Sequence, residues 1–133
     1  MIDTSAWVEY FRRTESPADL TVTRLVTEHA QDIVGCSPVR LELSLDSDEL
    51  RRRRVLKAFD AFPIAAISDD DFDMAGDIYR ATRATGHTPR AVNDCLIAAV
   101  AFRSDAQLVH NDVDFDRIRA AFPELAVLRL PSS

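Results

Sequence analysis

The stretch Ala91–Arg103, AVNDCLIAAVAFR, decides how the rest of the chain is read. From Cys95 to Phe102 it is apolar on every side. A helix with no polar stripe is buried at the centre of a domain. Yet this one opens with Asn93 and Asp94, a polar pair held against the core. The first turn of a helix carries exposed N–H groups and a partial positive charge, which favours an ionised carboxylate there. An N-cap role for Asn93 or Asp94 accounts for the pair in isolation. So does a buried helix that delivers one carboxylate into a shared acidic site, and that reading requires further acids elsewhere.

Working outward, apolar runs alternate with helical patterns. Asp3 directly follows Ile2 and taken by itself also reads as a helix cap, and SAWVEYFRR places Trp7, Val8, Tyr10 and Phe11 at helical spacing, with Thr4 or Ser5 as cap. With only Met1 and Ile2 before Asp3, the first strand is expected to be very short or to start upstream. Pro17 to Ala30 reads as a helix with Leu20, Leu25 and Val26 inward, and residues 32–36 as a strand. SPVRLELSL is ambiguous. Val39, Leu41, Leu43 and Leu45 alternate as in a strand, whereas Ser37-Pro38 is a helix start and Val39–Leu43 a helical pair. Asp48 to Phe62 is a helix with Val55, Leu56, Phe59 and Phe62 inward, and pairs Asp48–Arg52 and Glu49–Arg53 spread charge along its exposed face.

IAAI at 64–67 is another strand. Asp69, Asp70, Asp71 and Asp73 then open a helix that Gly86 ends. These acids suit the dipole of a first turn and lack the spacing of a calcium loop. After the central helix, residues 106–110 form a strand, and an acid again lies just past it, Asp112, with Asp114 and Asp116 behind it. His110 reads as a packed or hydrogen-bonded histidine. A helix through Ile118 and Phe122 and an edge strand over 125–130 complete the chain.

The 133 residues fit one domain, 1–133, with a full core. The net charge of -6 argues against a non-specific basic nucleic-acid coat, though not against a nuclease whose acids bind cations. Cys36 and Cys95 sit in apolar surroundings and read as small buried hydrophobes rather than a disulfide or zinc site. With neither a membrane-spanning run nor a signal-peptide pattern, the expectation is a cytoplasmic protein with no membrane partner.

Alternating strands and helices imply a mostly parallel sheet covered on both faces. Asp3 and Asp112 would emerge at the same sheet edge, where Asp94 and Glu42 could join them. Four carboxylates without His or Cys make a hard oxygen site, suited to Mg²⁺ or Mn²⁺. Held alone they repel one another, and one or more takes up a proton. Such a site activates water and neutralises phosphate charge during attack on a phosphodiester. No phosphate-binding glycine loop is present, with three glycines in all.

IDTSAW, SPVRLEL, TGHTPRAVNDCLIAAVAF and LVHNDVDFDRI, in that order and spacing, resemble the PIN-domain ribonucleases, specifically VapC-type toxins of type II toxin–antitoxin systems. The resemblance covers essentially the whole chain. It implies a three-layer α/β/α fold with about five short, mostly parallel strands, and it makes SPVRLEL a helix. It places metal-site acids at Asp3, Glu42, Asp94 and Asp112, with Asp114 at a position often acidic and Thr4 in support. The implied activity is Mg²⁺-dependent endoribonuclease cleavage, often of a tRNA or ribosomal RNA. The implied partners are an antitoxin of VapB type and a second copy of the chain, in a homodimer or in a heterotetramer or larger assembly with antitoxin. Arg12, Arg80, Arg83 and Arg90 are candidate RNA or antitoxin contacts. The alternatives are a PIN-type nuclease of RNA processing or DNA, a catalytically silent protein-binding fold, and a receiver domain. The last needs paired acids after the first strand and a late lysine, whereas Asp3 stands alone and the only lysine is Lys57.

Overall fold

A computed structural model describes residues 1–132. The helices are α1 (Thr4–Arg12), α2 (Pro17–Glu28), α3 (Ser37–Leu43), α4 (Glu49–Phe59), α5 (Asp69–Ala84), α6 (Val92–Arg103) and α7 (Val113–Ala121), and the strands are β1 (Leu108–His110) and β2 (Val127–Arg129). The fold is α/β and helix-rich, with every strand pairing parallel.

Five extended segments occur where five strands were expected, but only two form ladders. β1 pairs with β2, Val109 opposite Leu128. Ile2 bridges to Val109, through Val109 N–H to the Met1 carbonyl and Asp3 N–H to the Val109 carbonyl, 2.9 Å each. Gly35 bridges to Ile64. The first segment stops at Asp3 because Asp3 already caps α1. At the Gly35–Ile64 bridge, Pro63 accepts from Gly35 N–H at 2.8 Å but has no N–H to extend the ladder. Leu108, Val109 and His110 are all buried, so β1 is covered on both faces. β2 is mostly exposed, as an edge strand is.

The central helix is buried over most of its apolar run, although Phe102 at its end is 37% exposed. Cys95 and Ile97 to Ala101 are at 0% exposure, and α5 packs along the helix. Trp7 anchors the other half of the core, 5.7 Å from Phe11 and 6.4 Å from Phe59 between ring centroids. Cys36 and Cys95 are free and buried, and burial pushes both thiols up to about 11.

Several local expectations need correction. The caps are Asp3 for α1, Cys36 for α3 and Ala91 for α6, not Thr4 or Ser5, Ser37, or Asn93 or Asp94. In α2 the buried pair is Ala18 and Val22, at i,i+4, with Leu25 and Val26 partly buried against the core as expected, and only Leu20 lies off that face at 51% exposure. SPVRLEL is a helix. Val39 and Leu43 are buried, while Leu41 and Leu45 of the apparent alternation are exposed. Glu49 pairs with Arg53 at 2.7 Å, but Asp48 caps α4 instead of pairing with Arg52. In α5, Asp71 is buried against the guanidinium of Arg103 at 2.6 Å, and its carboxylate accepts from Ser68 N–H. Gly86, at φ +94°, ends the turn after α5.

Gly35 is the tightest point of this packing: a Cβ there would lie 2.7 Å from the ring of Phe59, itself 2% exposed. Gly35→Ala should therefore destabilise the fold by about 1–3 kcal/mol. Urea denaturation checks this, and adding Phe59→Leu should reduce the penalty attributable to the clash.

Candidate metal centre

Three backbone features bring distant acids to one sheet edge. Asp3 ends the first extended segment and Asp112 lies just past β1, its parallel neighbour, so both leave at the carboxyl ends of strands. Asp94 is the third residue of α6, turned inward by the helix that it opens. Glu42 stands in the last turn of α3, which Asn93 ties to α6 by donating to the Pro38 carbonyl at 3.2 Å.

The result is two overlapping groups of three carboxylates, Asp3–Glu42–Asp94 and Asp94–Asp112–Asp114, each with ligand oxygens within 4.8 Å of one another. All five acids expected from the sequence are therefore brought together. Asp116 is not: it pairs with Arg129 and faces His110. The acidic first turn of α5 does not join either group.

Each acid is held differently. Asp3 is 3% exposed, and its Oδ2 accepts from Ser5 N–H at 2.9 Å and Ser5 Oγ at 2.6 Å. Its Oδ1 is buried with no partner. Thr4 Oγ1 donates to Glu42 Oε1 at 3.2 Å, the supporting role expected of it. Asp112 Oδ1 accepts from Asp114 N–H at 2.9 Å, capping α7. Asp112 N–H in turn lies 3.2 Å from Nδ1 of His110, the fully buried, hydrogen-bonded histidine that the sequence suggested.

These environments separate the protonation states. Burial raises the pKa of Asp3 above the ordinary carboxylate range, against the pull of its bonds from Ser5. Burial and the neighbouring Asp3 likewise raise Glu42. Asp94 is pushed up to about 7, first by burial and then by Asp3, Glu42, Asp112 and Asp114. The helix N-terminus does not outweigh them, so Asp94 holds a proton below neutrality. Asp114 behaves oppositely. Its burial is outweighed by hydrogen bonds from Arg90 and the nearby Arg117 charge, which hold it low.

Arg90 is the candidate contact residue most altered by the structure. Its guanidinium pairs with Asp112 at 2.7 Å and Asp114 at 3.0 Å, inside the acidic group. Arg12 pairs with Glu9, Arg80 pairs with Asp77, and Arg83 is exposed in the last turn of α5. Neither Arg80 nor Arg83 pairs with an acid of the site. The sequence reading missed Ser5, which also accepts from Asn111 N–H at 2.9 Å and so joins the first acid to the segment bearing Asp112. The available signal was a hydroxyl two residues after a strand-end aspartate.

The donor set fits a hard divalent cation: oxygen ligands only, a buried unpartnered carboxylate oxygen, and acids that repel one another without a cation.

The family model described as PIN domain matches residues 1–121. The chain is 47% identical over 120 residues to a VapC ribonuclease of Mycobacterium bovis and to ribonuclease VapC11 of Mycobacterium tuberculosis, covering 89% of this chain and 90% of each relative. Among solved structures, it superposes on Rickettsia felis VapBC2 bound to a promoter DNA fragment at TM-score 0.72. The identity is 22%, with 98% of both chains covered. It superposes on VapBC-5 of Mycobacterium tuberculosis at TM-score 0.62 and 19% identity, covering 98% of this chain and 96% of that one. At those identities the superpositions speak to fold alone.

The native Asp94 pKa of about 7 lies above the ordinary 3.8, so the metal-free native state holds a proton that the unfolded chain has lost. The contribution of Asp94 to stability therefore falls as pH rises from about 4 to about 7. In EDTA, Asp94→Asn should match the wild type near pH 4. It should be more stable by roughly 1 kcal/mol or more near pH 8, as read by urea titration at each pH.

Proposed function

The chain belongs to the PIN-domain family, and on that premise we propose that it is a metal-dependent endoribonuclease, the toxin of a type II toxin–antitoxin pair. The observation that carries this reading is the convergence of Asp3, Glu42, Asp94 and Asp112, with Asp114 behind them, on one sheet edge. The near-half identity to named VapC ribonucleases supports RNA as the substrate and a VapB-type protein as the partner.

Asp3, Glu42, Asp94 and Asp112 would hold the ion, Mg²⁺ with Mn²⁺ as substitute. Such an ion supplies an activated water and neutralises charge at the phosphodiester. The residues of the chain do the rest. Ser5 fixes one oxygen of Asp3 and leaves the other free to ligate. Thr4 orients Glu42. Asp94 must lose its proton to serve as a ligand, so metal affinity falls below about pH 7. Beside the acids, a groove with Val8, Phe11, Leu43 and Val55 along it and Arg12, Asp46 and Arg51 also in its lining runs up to Thr4 and Glu42, a seat for apolar side chains of an antitoxin that covers the site. A homodimer, or a heterotetramer with antitoxin, is the assembly proposed, and residues 1–133 are taken as one domain.

Purified total RNA incubated with the protein and Mg²⁺ or Mn²⁺ should give discrete cuts, mapped as new 5′ ends, and EDTA should remove them. Asp3→Asn and Asp94→Asn should each lower cleavage by about 100-fold or more while circular dichroism stays unchanged. Full activity in either variant, or cutting in EDTA, would overturn the assignment.

A further inference from the structure

The two halves of the acidic group are not electrostatically alike. Among the described residues, no arginine, lysine or histidine pairs with Asp3, Glu42 or Asp94. Asp112 and Asp114 are already engaged by cations. Arg90 Nη2 donates to Asp112 Oδ1 at 2.7 Å, and Arg90 Nε donates to Asp114 Oδ2 at 3.0 Å. The Arg90 backbone N–H donates to that same oxygen at 3.2 Å, so the side chain is anchored at its own root. Arg117 Nη1 reaches the other oxygen of Asp114 at 3.4 Å. Asp114 is 1% exposed, whereas Arg90 is 67% exposed and closes the group from the solvent side.

We infer that Arg90 is a built-in cation occupying the Asp112–Asp114 half of the site, so that the protein takes up a single divalent ion, on the Asp3–Glu42–Asp94 side. This rests on the metal-site reading above and goes beyond it by fixing where the ion sits and what excludes another. Asp94, Asp112 and Asp114 have the oxygen spacing to hold an ion of their own. A guanidinium with two short carboxylate bonds stands in that place, and a second divalent ion would have to displace it against like-charge repulsion. Arg90 is in this sense a positioning residue: it takes up Asp114 and Oδ1 of Asp112, and leaves Asp94 and the other oxygen of Asp112 for the ion on the other side.

The test is a calorimetric titration of Mn²⁺ near pH 8 into wild-type protein and Arg90→Gln, each stripped of metal and checked by circular dichroism. Wild type should bind one equivalent per chain, and R90Q should bind two. Adding Asp114→Asn to R90Q should remove the extra equivalent. Arg90→Lys keeps the charge and guards against a mere folding defect, and it should stay at one equivalent. Two equivalents in wild type or in R90K, one in folded R90Q, or two in the R90Q/D114N double variant would overturn the assignment of Arg90. No Mn²⁺ binding by any of the proteins would instead sink the metal-site reading on which it rests.

Discussion

The structure depends on one constraint: carboxylates that repel one another are held together at the buried edge of a parallel sheet. Asp3 and Asp94 are almost wholly buried, and neither has a cationic partner among the described residues. The cost of that arrangement shows in the protonation of Asp94, which stays neutral up to about pH 7. Around this point the fold spends its hydrogen bonds. Ser5 clamps Asp3, Thr4 reaches Glu42, Asn93 ties α6 to α3, and His110 meets the backbone of Asp112. These bonds hold the acids in a geometry that their mutual repulsion would otherwise open.

The rest of the core supplies rigidity. The central helix is locked at 0% exposure at Cys95 and from Ile97 to Ala101, which holds Asp94 at its start in the group. Trp7 and its aromatic neighbours fix α1, and with it the residues just after Asp3. The strands are a few residues each or single bridges, and one of those bridges, Ile2 to Val109, sets Asp3 and Asp112 on neighbouring segments. Two backbone bonds tie the segment before Asp3 to Val109 and so set Asp3 beside β1.

Charge is divided within the site. One side is bare acid with a free, buried oxygen, and the other is acid already satisfied by arginine. This division separates binding of a cation from stabilisation of the loop between α5 and α6, which carries Arg90, against the start of α7. It also accounts for the opposite behaviour of two acids in one group: the pKa of Asp94 is raised, and that of Asp114 is lowered.

Much of this was legible in the chain itself. The unbroken apolar run after Asp94 required a buried helix, and the recurrence of an acid just past a short apolar segment marked Asp3 and Asp112. Those are local patterns, and local physics fixes them: burial of apolar surface, and the place of a strand end in a parallel fold. Gly86 as a helix end and the acidic first turn of α5 were readable for the same reason, although not the burial of Asp71 against Arg103. The sequence could not say which of two periodicities SPVRLEL would obey. Val39 and Leu43 serve a helix and Leu41 and Leu45 a strand equally well, and only packing against neighbouring helices chose between them. Nor could it show that Arg90 enters the acidic group or that Ser5 joins its two ends. Those contacts link residues more than twenty, and more than one hundred, positions apart. Partners so distant in the chain leave no periodic trace in it, and only the closing of the fold brings their charges and hydrogen bonds into reach.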